Sequence, residues 1–392
     1  MLRVGFGRWQ ESNILRGENM THTLQELQYW QSQPLETKIK LAQERIQAWY
    51  EEWIKYEIVN LDTDEVRYVT CRKLKSYELE TELKCTDREY VRNEIPGQVY
   101  ISFSGGKDST VLLHIARQMY PDIEAVFVNT GLEFPEIQRF VKGFENVTIL
   151  TPEMRFTDVI SKYGYPIISK TVANALYYTK KCGNLQSARA KQLIEGYGGR
   201  RDGKPSQFDK TKYKPILDMD FFCSDQCCKE NKVKPLKKFE KATGKKPITA
   251  VMADESMQRQ TAWLKTGCNA FDGKNPISKP MSHWTTQDIL QYIKEYDLDI
   301  PSVYGEIIEE NSKLKTTGCD RTGCIFCGFG THIEKEPRFI RLKETHPKQY
   351  DYCITGGELI DGVWKPNKQG LGMGHVFDQL NAVYGENFIK YK

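Results

Sequence analysis

Short apolar runs alternate with amphipathic helical stretches through the middle of this 392-residue chain. The runs at 99–103, 123–129, 147–150 and 247–252 have the length of buried strands, and residues 111–119 place apolar side chains at helical spacing. Such alternation is typical of a parallel sheet with crossover helices. The pattern therefore predicts an α/β fold with an open, mostly parallel sheet and helices on both faces.

The first part of the chain follows a different pattern. Apolar and aromatic positions recur at helical spacing between residues 24 and 56, and we interpret them as packing surface. We therefore predict three regions: a mostly helical extension at 1–95, an α/β domain at 96–300 and a C-terminal region at 301–392.

Composition places the chain among globular proteins. Hydrophobic residues make up 39% and charged residues 28%, and no apolar stretch reaches the length of a membrane-spanning helix. The first 20 residues carry charges without an apolar block, so they do not resemble a secretory signal. We expect a cytoplasmic protein with no membrane association.

The most informative motif is a hexapeptide directly after the first apolar run: Ser104-Gly105-Gly106-Lys107-Asp108-Ser109. Two glycines allow a tight turn whose N–H groups approach an anion, and a helix that begins near Asp108 adds the positive end of its dipole. Lys107 supplies a mobile cation. Because the spacing is neither that of a Walker loop nor that of a dinucleotide fingerprint, the motif predicts a nucleotide phosphate site of another kind. An ordinary strand-to-helix turn is the alternative.

Two further segments follow predicted strands, at the edge where such sheets bind ligands. The first supplies turn residues suited to an adenine or ribose edge: Asn129, Thr130 and Gly131. The second supplies polar groups and a guanidinium suited to a phosphate or sulfate: Glu255, Ser256 and Arg259. An ion pair between Glu255 and Arg259, four residues apart on a helix, is the alternative interpretation.

The cysteines are clustered. Cys324 and Cys327 form a CxxC pair beside glycines, and Cys227-Cys228 lies upstream. Four thiolates from two loops can hold zinc or a [4Fe–4S] cluster, and the spacing does not separate these two.

The remaining cysteines are weaker candidates for metal ligands. Cys223 and Cys319 lie close enough to the two groups to be substitute ligands or redox thiols. We interpret the following as ordinary or partly buried thiols: Cys71, Cys85, Cys182 and Cys268.

Charge is concentrated in one segment. Residues 180–217 contain ten Lys or Arg against three acids, although the net charge of the whole chain is only +4. A solvated loop is one interpretation, and a mobile arm that contacts nucleic acid or a phosphorylated nucleotide is the other.

Taken together, these segments resemble the phosphoadenosine phosphosulfate (PAPS) reductase family, within the adenine-nucleotide α-hydrolase-like, PP-loop proteins. The resemblance covers roughly residues 98–330. It rests on motifs that occur in the family's order: Ser-Gly-Gly-Lys-Asp-Ser at 104–109, Asn-Thr-Gly-Leu-Glu-Phe-Pro-Glu at 129–136, Cys227-Cys228 followed by Lys-Val-Lys-Pro-Leu at 232–236, Asp254-Glu255-Ser256 with Arg259, Trp284-Thr285 with Asp288, and Gly-Cys-Ile-Phe-Cys at 323–327.

The resemblance implies an adenine nucleotide on the 104–109 loop, with ATP, PAPS or adenylyl sulfate (APS) as substrate and Mg²⁺ bound to the nucleotide. It also implies that Lys107 and Asp108 are catalytic residues. The paired cysteines resemble the cluster-bearing branch, which implies a [4Fe–4S] centre rather than zinc. Reductases of this family also carry a C-terminal nucleophilic cysteine in a Glu-Cys-Gly-Leu/Ile-His setting, which does not occur here. Cys353, the only cysteine after Cys327, is therefore interpreted either as a nucleophile or as a packed thiol.

Three functions follow as hypotheses. The first is an ATP-dependent sulfur transfer that thiolates a nucleic acid or a small molecule, with a sulfur donor such as a cysteine desulfurase. The second is reduction of PAPS or APS to sulfite with thioredoxin. The third is a nucleotide-sensing binding protein of phage or defence systems.

Overall fold

A computed structural model describes residues 20–60, 63–70, 90–197 and 208–392. The chain divides into two compact units built from interleaved stretches. The first unit comprises Met1–Phe127, Pro135–Ile149 and Phe239–Arg321, and the second comprises Val128–Phe134, Leu150–Lys238 and Thr322–Lys392. This division differs from the three predicted regions, because the chain leaves the first unit and re-enters it twice.

The first unit contains a six-stranded sheet with the order β6-β5-β4-β8-β10-β9. Its strands are β4 Val99–Ser102, β5 Ala125–Val128, β6 Val147–Leu150, β8 Lys246–Ile248, β9 Asn269–Ala270 and β10 Ile277–Ser278. β4 pairs in parallel with β5 and β8, β8 pairs in parallel with β10, and β9 is an antiparallel edge. The predicted α/β fold with a mostly parallel sheet is confirmed.

The α-helices of the described chain are numbered in sequence order. They are α1 Leu24–Gln31, α2 Leu35–Glu52, α3 Lys107–Met119, α4 Pro135–Lys142, α5 Phe156–Tyr163, α6 Lys170–Leu176, α7 Ala188–Ile194, α8 Gln226–Cys228, α9 Lys234–Thr243, α10 Met257–Thr266, α11 Thr286–Glu295, α12 Arg338–Thr345, α13 Pro347–Ile354 and α14 Met373–Tyr384.

Among the residues of the N-terminal extension that the structure describes, helices come first and strands follow. After α1 and α2, the strands β1 Lys55–Asn60, β2 Val66–Thr70 and β3 Tyr90–Ile95 form an antiparallel sheet in the order β2-β1-β3. Buried and half-buried residues alternate along β1, which is the period of a strand with one covered face. The prediction of a mostly helical extension is therefore wrong for these strands. Another antiparallel hairpin in the first unit joins β11 Ile307–Glu310 to β12 Lys313–Thr316.

The second unit has a hydrophobic core of its own, to which α5, α6, α13 and α14 contribute. A short parallel pair joins β7 Ile167–Ile168 to β13 Gly328–Phe329, and a hairpin joins β14 Glu358–Ile360 to β15 Val363–Lys365. Two π-helical turns, Tyr177–Lys181 and Lys229–Val233, extend the ends of α6 and α8. None of the helices that the structure describes is both long and apolar enough to cross a membrane.

Candidate phosphate cavity and cysteine group

The hexapeptide forms the turn between β4 and α3 in the first unit. Gly105 has a φ of +69°, and a Cβ added there would lie 2.6 Å from a methyl group of Val141. Gly106 is the N-cap of α3, and its carbonyl accepts hydrogen bonds from the hydroxyls of Ser109 (2.9 Å) and Thr110 (3.1 Å). The first glycine is therefore needed for conformation and space, and the turn presents the N-terminus of α3.

Lys107 is buried at this turn. Its backbone N–H donates to the hydroxyl of Tyr304 at 3.1 Å, and its ammonium group donates to the carbonyl of Asp320 at 3.0 Å. The same ammonium group lies 3.4 Å from Oδ1 of Asp108, a buried oxygen that makes no hydrogen bond with any residue the structure describes. A cation and an unsatisfied acceptor thus meet at the start of the helix.

A cavity of about 430 Å³ opens beside this turn, entirely within the first unit. Lys107 and Asp108 line it together with Asp254, Glu255 and Arg321. The structure therefore brings the 104–109 loop and the Asp254-Glu255 segment to one cavity, as their positions after parallel strands predicted. Cavities of this volume accommodate small-molecule ligands.

Sequence reasoning missed three contributors to this cavity and its rim: Tyr304, Asp320 and Arg321. Each contacts a residue of the phosphate motifs, although each lies far from those motifs in the sequence. Arg321 stands three residues before the CxxC pair, and that proximity to a recognised motif was the one available signal.

Glu255 holds two arginines at this site. Its carboxylate forms an ion pair with Arg259, one turn along the helix, and another with Arg321 at 2.5 Å. Burial lowers the pKa of Arg259, and the neighbouring charge of Arg321 lowers it further. Ser256 caps α10, since its hydroxyl accepts the backbone N–H of Arg259 at 3.3 Å. The ion-pair interpretation of Arg259 is therefore correct for this structure, and a nucleotide contact remains a prediction.

The Trp-Thr-x-x-Asp segment has a structural role. Trp284 is fully buried, and Thr285 and Asp288 cap α11 reciprocally: the Thr285 N–H donates to the Asp288 carboxylate at 2.7 Å, and the Asp288 N–H donates to the Thr285 hydroxyl at 3.4 Å.

The Asn129-Thr130-Gly131 turn lies in the second unit, and its side chains bond within the turn. Oδ1 of Asn129 accepts the N–H of Gly131 at 3.1 Å, and the Thr130 hydroxyl donates to Glu133 at 2.7 Å. The next carbonyl, that of Leu132, accepts the N–H of Ile325 inside the CxxC motif at 2.8 Å. This turn thus supports the CxxC loop, and its predicted contact with a nucleotide is untested.

The four predicted ligand cysteines lie in the second unit and influence one another's titration. Cys227 and Cys228 end α8, and the N–H of Cys327 donates to the carbonyl of Cys324 at 3.1 Å. A hydrogen bond with Cys228 and burial raise the pKa of Cys227, and Cys327 and Cys324 raise it further. The four thiols therefore share one electrostatic environment.

Cations border Cys228. Its pKa is lowered to about 6, first because its sulfur accepts a hydrogen bond from Cys227 and then because Lys170 and Lys232 lie close to it. Lys232 belongs to the π-helical turn that follows the paired cysteines, and such turns occur frequently at functional sites. This thiol has the stronger tendency of the pair to ionise.

The CxxC thiols are more deeply desolvated. Burial raises the pKa of Cys324 to about 11 against the opposing charge of Lys232, and burial also raises the pKa of Cys327. Arg338 donates to the carbonyl of Cys327 at 3.0 Å. Positive charge thus lies near both cysteine pairs.

The donor set has the chemistry of a zinc or [4Fe–4S] site, because it offers four thiols beside cations that offset thiolate charge. Over the described ranges, no three His, Cys, Asp or Glu side chains are arranged so as to hold a metal ion. The four cysteines therefore fit either group by donor type, and neither group is assigned by their arrangement.

Three cysteines outside the group of four are buried: Cys353, Cys223 and Cys319. Cys353 is fully buried in the core of the second unit, 3.5 Å from the sulfur of Met373, and burial raises its pKa well above the ordinary value. This is the environment of a packed thiol, so its prediction as a nucleophile is not supported. Cys223 is likewise buried in that core, and burial raises its pKa. Cys319 is buried in the first unit.

The structure describes two of the four thiols predicted to be ordinary or partly buried. Cys182 is exposed and Cys268 is half-buried. Cys71 and Cys85 lie outside the described residues.

The basic segment is folded where the structure describes it. It includes the π-helical turn Tyr177–Lys181, α7 and the 3₁₀-helix Thr211–Asp218, so a mobile arm is wrong for these residues. Two of its lysines turn inward: Lys180 donates to the carbonyl of Phe221 at 3.0 Å, and Lys210 donates to the side chain of Gln192 at 2.6 Å. Residues 198–207 lie outside the described residues.

Comparison with known proteins gives one extensive family match. The model of the phosphoadenosine phosphosulfate reductase domain matches residues 98–213 and 204–328, more than half of the chain.

Individual relatives are more distant. Two uncharacterized proteins of Methanocaldococcus jannaschii are similar to this chain. The first is 22% identical over 72% of this chain and 53% of the relative. The second is 25% identical over 69% of this chain and 46% of the relative. The chain thus spans about half the length of these two relatives. A phosphoadenosine 5'-phosphosulfate reductase of Escherichia coli is 35% identical over 74 residues, which are 18% of this chain and 30% of the relative.

Solved structures show weak overall similarity. The phosphate complex of a PAPS reductase from Candida auris aligns with a TM-score of 0.30 at 14% identity, over 56% of this chain and 84% of that one. An FMN adenylyltransferase from Candida glabrata aligns with a TM-score of 0.28 at 10% identity, over 70% and 69%.

Proposed function

This chain belongs to the phosphoadenosine phosphosulfate reductase family, and on that basis we propose that it is an enzyme that adenylates an acceptor with ATP and then transfers sulfur to it. The nucleotide binds in the cavity beside the 104–109 loop. The lining of that cavity supports this role, because Lys107 and Arg321 supply positive charge and the N-terminus of α3 supplies N–H donors.

The first step is attack by an oxygen of the acceptor on the α-phosphorus of ATP. The bond from that phosphorus to the oxygen bridging to the β-phosphate breaks, and pyrophosphate leaves. Lys107 and Arg321 offset the charge that develops on the phosphate oxygens, and Asp108 and Asp254 are the oxygen donors available to a nucleotide-bound Mg²⁺. A hydrosulfide equivalent then bonds to the carbon that carries the adenylated oxygen, and AMP leaves.

We assign the sulfur chemistry of the proposed reaction to the group of four cysteines. Cys227, Cys228, Cys324 and Cys327 would hold a [4Fe–4S] cluster, with zinc as the alternative. Because four thiolates would occupy all four irons, a bound cluster would bind sulfur at iron only where one of these thiolates is released. Lys170, Lys232 and Arg338 support that role, because they offset the negative charge of thiolates.

The observation that carries this choice is the burial of Cys353. Reduction of a sulfated nucleotide in this family uses a nucleophilic cysteine that attacks the sulfate sulfur, and such a thiol must be accessible and ionised. Cys353 is fully buried, its thiol donates a hydrogen bond to the sulfur of Met373, and burial raises its pKa well above the ordinary value. Sulfur transfer requires no thiol at that position.

The exposed part of the basic segment favours a polyanionic acceptor such as nucleic acid. Lys181, Arg189, Lys212 and Lys214 are exposed in the second unit, and Arg189 lies 5.4 Å from the ring centre of Tyr178. Exposed cations beside aromatic rings suit a phosphate backbone and its bases.

Reduction of PAPS or APS is the second candidate, because of the 35% identity with the Escherichia coli reductase over 74 residues. The two activities are separated by incubating the purified chain either with ATP and bulk tRNA or with PAPS or APS and reduced thioredoxin. Pyrophosphate release that depends on RNA supports sulfur transfer, whereas sulfite release supports reduction. Lys107→Met should abolish turnover and Lys142→Met, an exposed lysine outside the cavity, should not; if neither substrate turns over, a nucleotide-sensing protein is favoured.

Metal content tests the cysteine group separately. Anaerobic purification followed by iron, acid-labile sulfide and zinc analysis should give about four iron atoms per chain. Cys324→Ser should lose them, and Cys182→Ser, which changes an exposed thiol outside the group, should retain them. Stoichiometric zinc without iron would reject the cluster and leave the nucleotide site unaffected.

A further inference from the structure

The first unit contains another cavity, of about 420 Å³, that shares no lining residue with the phosphate cavity. The N-terminal helices provide one side through Trp30, Arg45 and Ala48. The segment that includes the end of α10 and β9 provides the other through Trp263 and Phe271. Neither the phosphate motifs nor the cysteine group accounts for it.

The walls of this cavity are aromatic. Trp30, Trp263 and Phe271 line it together with the aliphatic side chain of Leu41. Two of these rings pack against neighbouring rings: Phe271 stacks on Trp49 at 5.1 Å, and Trp263 lies tilted against His22 at 4.8 Å. Rigid rings around a space of this size suit a planar molecule.

A buried imidazole lines the same cavity. His283 is 1% exposed, and neither of its ring nitrogens makes a hydrogen bond of good geometry with the described residues. Buried polar groups ordinarily find a partner, so this ring, like Nε1 of Trp263 in the same lining, is a polar group that a ligand would satisfy. A neutral imidazole offers one donor and one acceptor.

The cavity also carries unpaired positive charge. Arg45 lines it and makes no ion pair with any described residue, while its charge reaches both Cys268 and His283. The one acidic group in the lining, Glu26, is already engaged, because its carboxylate accepts the backbone N–H of Thr23 at 2.6 Å in the cap of α1. A negative group on a ligand would therefore pair with Arg45 and lie away from Glu26, whose carboxylate keeps its negative charge in that cap.

We propose that this cavity is a binding site for a small planar aromatic molecule that carries one negative charge. Its ring lies between the aromatic walls, its polar edge bonds to His283, and its anionic group pairs with Arg45. The site is independent of the phosphate cavity and of the proposed sulfur transfer.

Calorimetric titration of the full chain with indole-3-acetate, indole and acetate tests this assignment. Indole-3-acetate should bind saturably and more tightly than indole, and acetate should not bind. Arg45→Gln should weaken indole-3-acetate about tenfold or more through loss of a charge-assisted hydrogen bond, while indole should change little. Arg139→Gln, an exposed arginine of α4, is the matched control.

A second variant fills the space directly. Ala48→Phe places a ring in the cavity and should abolish binding of both indoles, whereas Gln47→Phe, on the exposed surface of the same helix, should not. The proposal is overturned if neither indole binds below millimolar concentration, if Ala48→Phe binds as the unmodified chain does, or if Arg45→Gln leaves the affinity for indole-3-acetate unchanged. Arg45→Gln changes an exposed residue, so the test stands even if Ala48→Phe does not fold.

Discussion

The ammonium group of Lys38 on α2 bonds to both carboxylate oxygens of Asp288 on α11, at 2.8 and 2.7 Å, and both side chains are almost completely buried. The same carboxylate accepts the N–H and the hydroxyl of Thr285. One buried ion pair thus joins the N-terminal extension to the Trp-Thr-x-x-Asp segment of the family motif.

Removal of one partner of this pair should be strongly destabilising. Lys38→Met leaves the Asp288 carboxylate buried without its cation, so we expect the free energy of unfolding to fall by about 3–5 kcal/mol. Urea unfolding measures it. Lys40→Met is the control, because Lys40 and Glu36 form an exposed pair on the same helix, whose loss should change the stability little. Equal effects of the two variants would mean that the buried pair contributes no more than a surface one.

Lys107 shows how far the sequence could predict the site. The strand before it and the helix after it follow from local apolar periodicity, and the hexapeptide follows from the chemistry of phosphate binding. The contacts of Lys107 with Tyr304 and Asp320 join positions about two hundred residues apart, so no local pattern contains them.

Burial explains the other differences. Residue type and sequence neighbours make Cys353 a candidate nucleophile and place Lys180 in the basic segment, but both side chains turn inward because tertiary packing surrounds them. The start of β1 falls within the predicted helical stretch because Tyr56, its one aromatic residue, also fits the helical spacing of residues 24–56.

Gly105 should not tolerate a side chain. Gly105→Ala combines a left-handed φ of +69° with a Cβ that lies 2.6 Å from Val141, so we expect a loss of about 2–4 kcal/mol in stability together with weaker nucleotide binding. Gly97→Ala is the matched control, because Gly97 has a φ of +75° with no atom near its Cβ. Thermal unfolding measures both variants: Gly97→Ala shows the cost of the backbone conformation alone, and Gly105→Ala adds the steric clash with Val141. If both variants lose the same stability, the clash makes no contribution.

Glu255 should compete with phosphate for Arg259 and Arg321. Glu255→Gln removes the negative charge that both guanidinium groups bind, so the affinity for pyrophosphate should rise about tenfold. Calorimetric titration measures it, and Glu136→Gln, which breaks a pair with the exposed Arg139 on α4, should have no effect. A lower affinity in Glu255→Gln would instead show that Glu255 is needed to orient the two arginines.

His283 should make stability depend on pH. Burial lowers its pKa to about 4, with a further lowering by Lys38, an opposing effect of Asp288 and a smaller lowering by Arg45. The unfolded chain binds the proton of this imidazole more readily than the folded chain does. The contribution of neutral His283 to the free energy of unfolding is therefore complete above pH 6.5 and is lost as the pH falls to 4, and it amounts to about 3 kcal/mol. The difference in urea stability between His283→Gln and the unmodified chain should follow that window. A stability curve for His283→Gln that runs parallel to that of the unmodified chain would contradict the assignment.

Cys353 should behave as a core residue. Cys353→Ala removes a sulfur that packs 3.5 Å from Met373 and should cost about 1–2 kcal/mol, whereas Cys353→Ser also buries a hydroxyl and should cost more. Both variants should keep the unmodified turnover per folded molecule with ATP and with sulfated nucleotides. Loss of turnover in both, at a folded fraction confirmed by circular dichroism, would make Cys353 a nucleophile that becomes exposed during the reaction and would favour reduction over sulfur transfer.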